Sequence, residues 1–145
     1  MKRNLTTIAT AIMMVFSMSS FAISPVKPSS ALPSLNIVAD YLGATVLGKQ
    51  INIKNMLAHD FQYISTVNKK KYGKDEYVKF LEKTSNYKYN CEYAYEILDE
   101  TGKSAIAKAT YTFDSFTRVD ILTLSETAEG WEISEVISQA LKSYF

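Results

Sequence analysis

The chain has 145 residues, 47% hydrophobic and 21% charged, with 16 Lys+Arg against 15 Asp+Glu and a single Cys. That length supports one domain with one real core. A near-neutral balance argues against a protein that grips nucleic acid or anionic membrane through bulk charge, and one Cys rules out an internal disulfide framework.

Lys2 and Arg3 precede an apolar stretch from Ile8 to Phe16, and Ser20 and Ala22 follow with the small-residue spacing of a cleavage site. The stretch is well short of the ~20 residues that a membrane span needs. Residues 1–22 therefore read as a cleavable signal peptide cut near Ala22. No Cys lies near the cut, which argues against a lipid anchor. The expected location is periplasmic or secreted, with no membrane insertion after cleavage. The first 22 residues hold two of the 16 basic residues and none of the 15 acidic ones, so the mature chain carries one more acid than base.

Residues 23–33 contain Pro25, Pro28, Pro33, Ser29 and Ser30 and read as a flexible leader, with the folded domain over 34–145. Ser34 is a candidate N-cap. Leu35, Val38, Leu42, Thr45 and Val46 recur at helical spacing, with Tyr41 on the flank and Gly48 as a stop, which predicts a first helix over about Leu35 to Leu47. Ile53, Met56 and Leu57 suggest a short helical turn. His59-Asp60 leads into a short strand through Phe61, Tyr63 and Ile64. Asn68-Lys69-Lys70-Lys71 reads as a polar loop. A further helix is expected from Lys74 to about Lys83, its apolar face marked by Tyr77, Phe80 and Leu81 and its start favoured by Asp75 and Glu76.

The rest reads as a meander. From Tyr87 to Ile97 every odd position is Tyr, Cys or Ile, a period of two that predicts a half-buried strand. Asp99 to Gly102 is a turn. Ala105, Ala107, Ala109, Tyr111 and Phe113 line one face of the next strand. Phe116 to Leu124 and Trp131 to about Gln139 follow as the last two, with turns at Asp114-Ser115 and Glu126 to Gly130.

Several short motifs, in this order and spacing, resemble the nuclear transport factor 2-like superfamily, with its polyketide-cyclase-like, ketosteroid-isomerase-like and lumazine-binding-like members. They are Val38-Ala39-Asp40-Tyr41-Leu42-Gly43-Ala44, His59-Asp60-Phe61-Gln62-Tyr63, Gly73-Lys74-Asp75-Glu76-Tyr77 with Phe80-Leu81, and Gly130-Trp131-Glu132-Ile133. The resemblance implies an α+β fold: a cone-shaped, curved antiparallel sheet packed on about three N-terminal helices. It also implies a cavity between helices and sheet, and often a homodimer formed through the sheet. Fold alone does not decide between enzymes and binding modules.

The candidate residues divide accordingly. His59 is the sole histidine and could shuttle protons beside Asp60. Adjacent strand residues face opposite sides, however, which favours a surface or structural His59. Tyr41, Tyr63, Tyr93, Tyr95, Tyr111 and Trp131 are the candidate ligand-binding residues, since tyrosine couples an apolar ring to a polar tip; the alternative is that these rings are core and rim. The resemblance to isomerases implies a cavity carboxylate, a tyrosine on the first helix and a second acid on a strand. Asp60 with Tyr41 or Tyr63 matches this loosely, but no residue stands clearly in the strand-acid role: Asp114 reads as a turn residue, and Asp120 as a partner of Arg118 or a solvent-facing acid. Cys91 reads as a buried, inert thiol. No GxSxG, HExxH, CxxC or phosphate-loop pattern occurs. No metal and no cofactor are expected. The leading expectation is a small, partly apolar molecule in the cavity without assigned catalysis. Its rivals are an isomerase- or cyclase-type enzyme and a ligand-free dimerisation module.

Overall fold

The computed structural model describes residues 32–49 and 51–142. The expected signal peptide and most of the leader lie outside them. Two α-helices, α1 (Pro33–Thr45) and α2 (Lys74–Thr84), and a 3₁₀ turn (Ile53–Met56) accompany six strands: β1 (Leu57–Ser65), β2 (Lys70–Gly73), β3 (Glu92–Thr101), β4 (Ser104–Thr112), β5 (Phe116–Thr127) and β6 (Gly130–Lys142). The strands form one sheet in the order β2-β1-β6-β5-β4-β3. It is mixed, because β1 runs parallel to β6 while every other pair is antiparallel. Two α-helices and a 3₁₀ turn stand where about three helices were expected. Among the described residues no helix is long and apolar enough to cross a membrane.

The alternation along β4 explains how α1 lies on the sheet. Ala105, Ala107, Ala109 and Tyr111 are buried on one face, and three of the four are methyl-sized, so a helix can approach closely. The stripe it lays down is Val38, Tyr41, Leu42 and Thr45, all buried at helical spacing. Leu122, Leu124, Ile133 and Val136 extend the same surface across β5 and β6. Burying one such aliphatic side chain stabilises the fold by roughly 1.5–3 kcal/mol.

Local details depart from the sequence reading for identifiable reasons. Pro33 occupies the first turn of α1, where its missing N–H costs nothing. Ser34 is therefore inside the helix rather than capping it, and its hydroxyl donates to the Glu100 carboxylate on β3. Gly48 adopts φ +63° and an added Cβ would sit 2.9 Å from the Ser85 carbonyl oxygen, so the turn after α1 requires glycine on two counts. Lys70 and Lys71, expected as loop, belong to β2, which pairs with β1 through Ser65↔Lys70 and Tyr63↔Tyr72.

The third strand begins at Glu92 rather than Tyr87. The Tyr89 N–H donates to the Val46 carbonyl at 3.0 Å, which ties residues 85–90 to the end of α1 instead of to the sheet. The odd-numbered residues of β3 do face the helices: Tyr93, Tyr95 and Ile97 pair with Tyr111, Ala109 and Ala107. Tyr93 and Tyr95 nevertheless stay 39% and 38% exposed, because β3 is the edge strand.

Candidate functional site

Cross-strand rows on the helix-facing side create the space for a site. One row runs Ser65, Ser138, Asp120, Ala109 and Tyr95; its neighbour runs Ala140, Arg118, Tyr111 and Tyr93. Toward β1 and β6 these rows end in serine and alanine, which leave volume unfilled. No α1 residue beyond Thr45 covers that volume, because the chain turns away through Gly48. A cavity of about 600 Å³ opens there, within the usual range for small-molecule sites.

Its walls come from several elements. β1 supplies Tyr63 and Ser65, the following turn Asn68, β2 Tyr72, α2 Glu76, Tyr77, Phe80 and Leu81, the end of α1 Thr45, the segment before β3 Tyr89, and β5 Arg118. The Tyr63 and Tyr77 rings stack at 4.8 Å and 12°, and Phe61 backs Tyr77 at 5.3 Å. These rings form a planar apolar wall. The Tyr77 hydroxyl meets the Tyr41 hydroxyl at 2.5 Å in the core behind it.

Arg118 is the one cation among the residues lining the cavity. Being two residues from Asp120 on one strand, it shares a face with it. Its Nε donates to Asp120 Oδ1 at 3.0 Å and its Nη2 to Oδ2 at 2.7 Å. The Arg118 side chain is 21% exposed and the Asp120 side chain 0%. The guanidinium carbon lies 4.3 Å from the Tyr111 ring centroid, a cation–π contact. Burial works against the charged guanidinium, but the two bonds and the charge of Asp120 outweigh it and hold the Arg118 pKa above the ordinary arginine value.

The tyrosines around this pair are kept protonated. Burial is the largest cause for Tyr41, Tyr63, Tyr77 and Tyr111, and all four pKa values are raised. The nearby Asp120 charge pushes in the same direction at each. The Tyr111 hydroxyl is buried without a bond of good geometry, although the Asp120 carboxylate is near enough to raise its pKa.

The sequence candidates fall in different places. Tyr63 lines the cavity. Tyr41 is buried behind its wall and Tyr111 beneath Arg118. Tyr93 and Tyr95 stand on the open edge strand, and Trp131 is half-buried against the core. His59 and Asp60 are both exposed on β1 and neither lines the cavity, so an isomerase scheme through Asp60 has no inward carboxylate at that position. Cys91 is half-buried at a bend, not on a strand, and burial pushes its thiol pKa up. Tyr72, Tyr77, Phe80, Tyr89 and Arg118 were not singled out as ligand contacts. For Arg118 the signal was present in Arg-x-Asp on one strand face. Among the described residues no group of three potential metal ligands occurs.

No protein-family profile matches the chain, and no curated protein does. Solved structures do. A nuclear transport factor 2-like protein from Cytophaga hutchinsonii superposes with TM-score 0.62 at 12% identity, covering 74% of this chain and 94% of that one. A ketosteroid isomerase-like protein from Erwinia carotovora atroseptica gives TM-score 0.60 at 14% identity, covering 76% and 95%. A nuclear transport factor 2-like protein of unknown function from Silicibacter pomeroyi gives 0.59 at 13%, covering 73% and 91%. Identities this low speak to architecture alone. In strand order, in the position of its helices and in its similarity to these structures, the chain has the nuclear transport factor 2-like α+β fold.

Proposed function

We propose that this protein is an exported binding module that holds a small, partly apolar molecule in the cavity between α2 and the sheet. The observation that carries this reading is an aromatic cavity of about 600 Å³ that ends on one ordered guanidinium. Asp120 has both oxygens bonded to Arg118, and the tyrosines with raised pKa values are donors at neutral pH rather than bases. Glu76 is the one carboxylate among the lining residues, and it sits exposed on α2. Export rests on the N-terminal pattern of Lys2-Arg3, the apolar stretch and Ala22. The test is native mass spectrometry of the chain from Ile23 onward, purified gently from the periplasm, together with thermal melts against small-molecule panels. A retained adduct, or a stabilisation of about 2.7 kcal/mol at a hundredfold excess of ligand over Kd, supports binding. A clean mass with no stabilised melt refutes it.

One observation favours a second reading, a dimer joined through the sheet. Both helices lie on one face, and the other carries the row Ile64, Ile137 and Ile121 with Val119 and Ile106 beside it. Sedimentation of wild type and Ile121→Lys tests it. A wild-type dimer that dissociates in the variant supports the reading, and a wild-type monomer at high concentration refutes it.

A further inference from the structure

Arg118 is only half used. A guanidinium offers five N–H donors in a rigid plane. Asp120 takes two of them, one on Nε and one on Nη2. No other protein acceptor among the described residues bonds Arg118, so both N–H groups of Nη1 and one of Nη2 remain. With the Nε side turned to a carboxylate that is itself fully buried, the end formed by Nη1 and Nη2 is what Arg118 has left to offer to the cavity it lines. That end is a two-donor fork of the geometry that matches a carboxylate. It is also held in place before any ligand arrives, by Asp120 on one edge and the Tyr111 ring at 4.3 Å on its face. Pre-ordering removes much of the entropy that a free arginine would lose on binding.

We propose that the cavity selects a molecule with a planar, aromatic or alicyclic body and a carboxylate, the body lying along the Tyr63–Tyr77 wall and the carboxylate on the free fork of Arg118. This rests on the small-molecule reading above and narrows it to a ligand class. The Phe80 ring, the Leu81 side chain and the stacked tyrosine pair suit the flat body. The acid group is the part that the geometry specifies, since two parallel N–H donors on a charged group want two acceptor oxygens in one plane. Asp120 offsets part of the arginine charge, and Glu76 at the cavity wall adds a further negative one. A matched neutral acceptor is therefore the decisive comparison.

The experiment is calorimetric titration of the mature wild-type chain with mono- and bicyclic carboxylates, each beside its own carboxamide. The expected result is that the acids of at least one body bind about tenfold or more tightly than their amides. A second measurement uses Arg118→Lys, which keeps a cation opposite Asp120 but has no fork. Acid affinity falls at least about fivefold there, while amide affinity holds. Should that variant not fold, the Nη resonances of Arg118 in the wild type serve instead, and they move with acid and not with amide. Amides that bind as well as acids overturn the carboxylate anchor while leaving small-molecule binding intact. Absence of binding by every pair, with a clean native mass, overturns both.

Discussion

Replacing Arg118 with Met tests the energetic reading of the site most directly. Asp120 has 0% side-chain exposure, and both its oxygens are bonded to Arg118, at 3.0 and 2.7 Å. Removing the arginine strands a carboxylate in the interior, which costs about 3–5 kcal/mol in comparable buried pairs. The hydroxyls of Tyr111, Tyr41 and Tyr77 are close enough to respond to the Asp120 charge, and partial bonding to them places the expected loss near ~3 kcal/mol. The opposite truncation, Asp120→Val, is gentler. Arg118 keeps 21% exposure and its stack on Tyr111, so the expected cost is about 1–2 kcal/mol. The double variant carries neither charge and stays within about 1 kcal/mol of wild type. Urea unfolding followed by the fluorescence of the single tryptophan, Trp131, gives all four free energies and hence the coupling. A loss of ~3 kcal/mol corresponds to a fall in Tm of roughly 10–20 °C for a domain of this size. If Arg118→Met costs less than about 1 kcal/mol, or the double variant is no better than the worse single one, the pair is not the buried, mutually dependent unit described here.

The remaining predictions concern the groups around it. Tyr41, Tyr77 and Tyr111 have folded pKa values raised above the ordinary 10.0, so the stability that they confer is complete below pH 10 and is lost above it, as the unfolded chain releases protons that the folded chain keeps. Each contributes a slope of about 1.4 kcal/mol per pH unit, and tyrosinate absorbance should rise together with loss of structure; ionisation of these three without unfolding would contradict their burial. Tyr111→Phe removes a buried hydroxyl that lacks a well-formed bond and should leave stability unchanged or raise it by up to ~1 kcal/mol; a loss of that size in a urea melt would mean that the hydroxyl is satisfied. Gly48→Ala should destabilise by about 1–3 kcal/mol in the same melt, because φ is +63° and the new Cβ would press on the Ser85 carbonyl oxygen; a neutral result would mean that the turn can relax.

How far the sequence carries depends on whether the decisive contacts are local. β4, β5 and β6 were legible because alternation and turn residues are local signals, and the alanines of β4 mark the sheet face that receives a helix. β2 was not, since Lys70-Lys71 carries no strand pattern and becomes strand only by pairing with β1 after the turn in which Lys69 takes φ 56°. Tyr87 to Asn90 showed the opposite failure: their alternation is real, but a hydrogen bond to Val46 draws them away from the sheet. Ser34 reads as a cap by local rules and is drawn instead to Glu100, 66 positions along the chain. The parallel pairing of β1 with β6 left no local trace. Within the site, Tyr63 could be picked out as an amphipathic ring, whereas Tyr77 and Phe80 looked like an ordinary apolar helix face and became cavity wall only because the sheet beneath them ends in Ser65, Ser138 and Ala140.

The chemical character of the cavity follows from which groups can accept a proton at neutral pH. The Tyr41 and Tyr77 hydroxyls share one hydrogen bond, which consumes one of their two protons and leaves the other to donate elsewhere. Burial keeps these rings, Tyr63 and Tyr111 in the protonated form. Arg118 is a pure donor, and Asp120, the one deeply buried carboxylate among the described residues, already spends both oxygens on it. Donors therefore dominate the buried side of the cavity, and the one carboxylate in its lining, Glu76, stands on the exposed side of α2. Such a surface is complementary to a molecule rich in acceptor oxygens, which is what the proposed binding role asks of it. Turning this fold toward isomerase-type chemistry would require an inward carboxylate free of Arg118. Asp60, three residues before Tyr63 and one before the buried Phe61, points the wrong way for that role: it is exposed, while Tyr63 faces the cavity.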